Sequence, residues 1–366
     1  MRNLLFAMAA LFVGGCFNPK IGEGEFTCGP ANLCPEGYQC GFGNKCFTPA
    51  NLPVVDMMPP PAFYGSGKLG TKDITTAGNL LFDTEDGSVK LGDGTEIVPA
   101  GSDGFSVRAQ PNGGPEVAIW EFDTLTVGAG VTALCTPRSS RAVALVGKTA
   151  INVLGSIDLR GFGGTAGAAG KDGSTRGANT DGGGGKGAPS AGVGGGGGGY
   201  GAKGGDAPSG GGTGGAAFGN AQMDALHVGA GGGGGGGVKA GIGGNGGGGL
   251  ALIARTITIS GVIDVSGNTP SAPAGTDMVG GGGGGAGGSI MLSAEQLTLE
   301  TGHKLRALGG MGGPGANSGT AGGVGAIGRI WTGARNTTAV GNRDIQPPPA
   351  ESNSGPLLEF PRPLMN

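Results

Sequence analysis

An all-β fold of parallel, solenoid-like repeats carrying long glycine-rich insertions is predicted by three observations. Glycine supplies 91 of the 366 residues, against about 7% in ordinary proteins, and it is gathered into blocks. Between the blocks, short segments alternate apolar and polar residues as half-buried strands do: Leu125-Thr126-Val127, Ile151-Asn152-Val153, Ile257-Thr258-Ile259 and Leu297-Thr298-Leu299. Two of these extend into an internal repeat, INVLGSIDLRG at 151–161 and ITISGVIDVSG at 257–267, with LTLETGHKLRALG at 297–309 and LTVGAGVTAL at 125–134 as looser copies.

Composition excludes several classes. Charged residues are 13%, aromatics 5% and the net charge is -3, so the basic stripe of a nucleic-acid binder is missing. Collagen needs glycine at every third place, whereas here glycine runs uninterrupted at 194–199 and 231–237.

Taken from the N-terminus, Arg2 precedes an apolar run from Leu4 to Val13 that is shorter than the roughly 20 residues of a membrane span. A signal peptide over 1–15 is expected. Val13-Gly14-Gly15-Cys16 resembles the lipobox of bacterial lipoproteins, which implies cleavage before Cys16 and its lipidation. Phe17 stands where similar enterobacterial lipoproteins carry the Asp that retains them at the inner membrane, so outer-membrane placement is implied.

Residues 16–48 form a cysteine-rich module in which Cys28, Cys34, Cys40 and Cys46 lie six apart. So short a segment cannot bury a sufficient core, and two disulfides are expected in an exported chain. Three pairings are open; Cys28–Cys40 with Cys34–Cys46 interlocks its loops and constrains the segment most. Zinc ribbons use closer pairs than these five-residue gaps. A Pro-rich linker follows over 49–67, with Pro49, Pro53 and Pro59 to Pro61.

The solenoid-like domain is expected over 68–335, with glycine-rich inserts at 162–249, 268–288 and 309–328. With the inserts set aside, successive copies recur after 26, 18 and 19 residues, near the length of one solenoid coil. Each insert leaves after an Ile-Asp strand or its counterpart and returns just before an aliphatic strand, so all three belong at one corner. Two outcomes are open for them: a flexible brush, or bundled polyglycine II helices with three residues per turn. The shared corner favours the bundle. Residues 336–366 are expected as a Pro-rich tail.

Candidate chemistry is sparse. Asp158 and Asp264 recur at one repeat position and are the candidates for calcium binding or acid–base work. Lys304 near that place in the third copy interrupts the row, which favours outward-facing structural aspartates. Cys135 follows a strand-like stretch and reads as a buried free thiol. His227 and His303 lack companions for a metal set or a triad. Gly147-Lys148-Thr149 mimics a phosphate loop, yet it lacks the glycine-rich backbone before the lysine. No cofactor is expected.

The order of lipobox, cysteine-rich head and glycine blocks between aliphatic strands, ending in GGVGAIGRIWTG at 322–333, resembles glycine-rich surface lipoproteins of the myxobacterial type. The resemblance implies a surface location without an established chemistry. The expected function is therefore non-enzymatic, structural or adhesive. Expected partners are the membrane, through the lipid on Cys16, and extracellular polysaccharide or other surface proteins. The alternative is a polysaccharide-binding or polysaccharide-cleaving β-helix, which would need aromatic platforms from a chain with two tryptophans and three tyrosines.

Overall fold

The computed structural model describes residues 39–41, 45–47, 65–110, 114–137, 139–161, 192–219, 223, 225–237, 239–273, 278–340, 344–347 and 350–351. The chain divides into two units, Met1–Val55 and Asp56–Asn366. In the first, β1 (Gln39–Gly41) and β2 (Lys45–Phe47) pair antiparallel, with Cys40 opposite Cys46 in the register.

The described residues of the second unit contain strands and no helix. In chain order they are β3 (Lys72–Ile74), β4 (Gly78–Phe82), β5 (Val89–Leu91), β6 (Glu96–Val98), β7 (Phe105–Arg108), β8 (Val117–Val127) and β9 (Val131–Cys135). Then follow β10 (Ala142–Val153), β11 (Ser156–Asp158), β12 (Gly249–Ile259), β13 (Val262–Asp264), β14 (Ser289–Leu299), β15 (Lys304–Arg306), β16 (Arg329–Ala339), β17 (Asp344–Gln346) and β18 (Ala350–Glu351). From β8 to β17 the chain alternates between two sheets. One has the order β18-β16-β14-β12-β10-β8-β3, the other β17-β15-β13-β11-β9-β4-β5-β6.

Every pair among the alternating strands is parallel. Leu125, Ile151, Ile257 and Leu297 occupy one register position, as the repeat predicts. They are buried with Ala133, Ile157, Ile263 and Leu305 of the other sheet in one apolar core. Burying each such aliphatic side chain contributes roughly 1.5–3 kcal/mol. The paired strands continue past residue 335, because β16 runs to Ala339 and β17 and β18 follow it.

The long strands change character midway. In β12 six consecutive residues are buried before strict alternation begins at Thr256. The apolar runs AVALV (142–146), LALIA (250–254) and SIML (289–292) have both faces covered, which is why they lack alternation. Leu250, Leu252 and Ile290 face the core between the sheets. Ala251, Ile253 and Met291 face the other way and pack under Met223, Leu226 and Val228 of the first insert. A β-bulge between Gly147 and Ala150 marks the change in β10.

All three inserts leave after the short strands β11, β13 and β15 and return into β12, β14 and β16. Their described parts run side by side and are joined by backbone hydrogen bonds at steps of three residues. Gly229, Gly232 and Gly235 donate to Gly247, Gly244 and Gly241, each at 2.9 Å. The segment 279–288 lies at the centre, bonded to six others: 193–199, 230–236, 241–247, 265–268, 310–313 and 320–326. Successive residues of this segment face successive neighbours. A Cβ on Gly283 would overlap the carbonyl oxygen of Gly196, one on Gly284 that of Gly310 and one on Gly285 that of Asn245. Glycine is required there by close approach of backbone to backbone.

Candidate functional site

The three-residue step decides what the bundle shows to solvent. On an outer segment one residue in three points outward, and in 319–328 these are Ala321, Val324 and Ile327. The adjacent segment runs antiparallel, with Gly322 donating to Gly313 at 2.9 Å and Gly325 to Gly310 at 2.8 Å. Its outward residues are Leu308, Met311 and Pro314. Val324 is therefore level with Met311, and Ile327 with Leu308. Met311 is 64% exposed and Val324 and Ile327 are each 46% exposed. The signal for this two-row apolar ladder was the spacing of Val324 and Ile327 within GGVGAIG, which sequence reasoning passed over.

An aromatic cluster centred on the buried Tyr200, with Phe218 half-buried beside it, fastens the bundle to the first sheet. Tyr200 and Phe218 of the first insert lie with ring centroids 5.0 Å apart, and the guanidinium of Arg329 stands 5.1 Å over the Tyr200 ring. Ser289, at the start of β14, donates to the His227 carbonyl oxygen at 2.5 Å. Its hydroxyl proton is thus engaged, and the Tyr200 hydroxyl donates to Ser289 Oγ at 2.6 Å. His227 packs 6.0 Å from Tyr200 and 5.7 Å from Phe218. This geometry anchors; it brings no nucleophile to a base.

Asp158 and Asp264 are neighbours in the second sheet. Arg160 donates to both oxygens of Asp158, at 2.9 and 2.6 Å, and reaches Asp264 at 4.0 Å. The hydrogen bond with Asp158, and then its charge, raise the Arg160 pKa against the opposing effect of burial. The two carboxylates thus share one resident guanidinium. The third position in the row is Arg306 rather than Lys304, which pairs with Val262. The third turn, Glu300-Thr301-Gly302-His303, is two residues longer than Ser260-Gly261 and displaces the register accordingly. Arg306 meets Asp344 at 3.2 Å. Among the described residues no three His, Cys, Asp or Glu side chains gather as a metal set.

Cys16, Cys28 and Cys34 lie outside the described residues, and of Cys40 and Cys46 the register alone is described. Cys135 ends β9 as a free, half-buried thiol. Desolvation pushes its pKa up to about 12, with the nearby Asp83 acting in the same direction and a hydrogen bond with Ser139 opposing. A thiol so protonated is a poor nucleophile. His303 is buried, with Nδ1 2.6 Å from the Glu300 carbonyl oxygen inside its own turn. Gly147-Lys148-Thr149 lies within β10 and leads into more strand, so the helix a phosphate cradle needs does not follow it. Trp120, Trp331 and Tyr200 are all buried.

No family model, curated protein or solved structure matches this chain.

Proposed function

We propose that this chain is a non-enzymatic cell-surface lipoprotein with a structural or adhesive role, in which a β-solenoid presents a polyglycine II bundle. Parallel strands visiting two sheets in alternation support the solenoid. The three-residue hydrogen-bond step supports polyglycine II, a helix of three residues per turn. The observation that carries the proposal is the enclosure of 279–288 by six neighbours. Ordering a glycine costs about 0.5–1 kcal/mol more than ordering alanine. Each backbone hydrogen bond contributes about 0.5–1.5 kcal/mol, so a bonded lattice offsets that cost where side chains cannot. A framework so built holds a fixed outer surface, and its exposed apolar ladder suits contact with other surface components.

In this proposal Cys16 carries the lipid that holds the protein in the outer membrane, facing outward. Acyl chains contribute about 0.8 kcal/mol per buried methylene. The membrane is the first partner, and extracellular polysaccharide or another surface protein the second. Polysaccharide cleavage has less support, because Arg160 occupies the space between the two recurring carboxylates and the tryptophans are buried. Palmitate labelling and cell fractionation test the anchor. The wild type is expected to take up label and stay with the outer membrane, and Cys16→Ala to lose both. Retention of Cys16→Ala on the cell surface in normal amount refutes it.

A further inference from the structure

The half of the first sheet outside the bundle's cover presents a second regular surface. One register position holds Thr126 of β8, Asn152 of β10, Thr258 of β12, Thr298 of β14 and Thr338 of β16. On the first four of these strands its flanking residues, such as Ile257 and Ile259, are fully buried in the core. The ladder therefore faces solvent, half-buried along its own rank as far as Thr298 and exposed at Thr338. Two residues earlier along the strands a second rank holds Thr124, Ala150, Thr256, Gln296 and Asn336.

Strand geometry fixes the lattice. Rungs lie about 4.8 Å apart and the two ranks about 6.6 Å apart. Asn152 Nδ2 donates to Thr126 Oγ1 at 3.3 Å, tying adjacent rungs together. Asp73 continues the main rank on β3. Arg255 and Glu295, at the margin, face each other at 3.5 Å. The strip between is uncharged and offers a hydroxyl with a methyl group at four of its five main rungs.

Such an array recognises a ligand that is itself periodic. Hydroxyls held at fixed spacing order the water that bridges them, at an entropic cost of up to about 2 kcal/mol per water. A ligand made of ordered water accepts that row without displacing it, and threonine methyls exclude disordered water between rungs. The rectangular repeat is close to the oxygen spacing on the prism face of ordinary ice. A glycan would ask for a stacking platform, and the tryptophans and Tyr200 are buried elsewhere. We propose that the ladder Thr126, Asn152, Thr258, Thr298 and Thr338 binds ice. The inference stands apart from the lipid anchor and the glycine bundle.

The test is ice recrystallisation and ice-crystal shape in the presence of the purified full chain, with serum albumin as reference. The wild type is expected to halt grain growth and facet the crystals. Thr258→Tyr and Thr298→Tyr, which break the flat lattice, are expected to raise the required concentration about tenfold each, since rungs act together. Thr258→Val keeps the β-branched shape at this half-buried, solvent-facing position, and is expected to lose about half the activity, the methyl remaining. Thr213→Tyr, on the exposed side of the bundle, is expected to leave it unchanged. Ice growth indistinguishable from that in albumin overturns the proposal, as does full activity in both tyrosine variants. Ladder-dependent retention on insoluble cellulose or chitin without any effect on ice also overturns it and assigns the face to a glycan.

Discussion

Replacing Gly283 by alanine tests the bundle at its centre. The new Cβ overlaps the carbonyl of Gly196, which is backbone and cannot swing aside, so the segments 279–288 and 193–199 must part. Two hydrogen bonds span that seam, Gly195 N to Gly281 O and Gly198 N to Gly284 O, both 2.9 Å. Leaving their buried groups unpaired costs about 1–3 kcal/mol each. The lower freedom of alanine in the unfolded chain returns about 0.5–1 kcal/mol. The expected net loss is about 1–5 kcal/mol, centred near 3. Denaturant unfolding measures it, and amide exchange at Gly195 and Gly198 should accelerate with it. Gly92→Ala is the control, because its Cβ would meet Asn79 Cβ at 3.4 Å, an ordinary contact. A Gly283→Ala protein within about 0.5 kcal/mol of wild type, with protection at 195 and 198 unchanged, would refute the enclosed-lattice argument.

Two further outcomes are expected. Tyr200→Phe removes the hydroxyl that donates to Ser289 and should lower stability by about 1 kcal/mol in the same denaturant assay, with Ser289 still bonded to the His227 carbonyl. Cys135, raised to about 12 in the fold, stays protonated and should resist a thiol reagent at neutral pH until the chain unfolds. Because its folded pKa lies above the ordinary value of 9.0, its contribution is fully present below 9.0 and is lost progressively as pH rises from there through the folded value of about 12. Stability should therefore fall more steeply in alkali in the wild type than in Cys135→Ala.

The register of the parallel strands was legible because a period of two in apolar residues, repeated with Ile-Asp and glycine at fixed offsets, allows one stacking. Leu125, Ile151, Ile257 and Leu297 meet as their alternation implies. The first halves of the same strands were not legible. AVALV and LALIA are apolar on both faces, and what covers the outer face comes from Met223, Leu226 and Val228, far along the chain. The antiparallel elements β5, β6 and β7 carry no repeat to announce them. The departure at Arg306 follows from turn length, which composition does not reveal. Of the candidate surfaces, the Asp158–Asp264 adjacency was visible in the repeat, whereas Arg160 as its neutralising partner required the side-chain geometry. Four rungs of the ladder were present in the same alternating triplets, as the polar middle residue of each, but its meaning depends on five strands lying in register.

The central segment 279–288 also sets the order of assembly. Four of its neighbours, 193–199, 230–236, 241–247 and 265–268, precede it in the chain, and two, 310–313 and 320–326, come after it. The lattice therefore cannot close until residues 310–326 have been made, however long the earlier glycine blocks wait. Its contacts are distant in sequence, which slows folding, and a chain cut short before residue 307 would leave that core segment bare along one flank. Completion is timed by the third insert, whose two segments act as the latch for glycines made long before them.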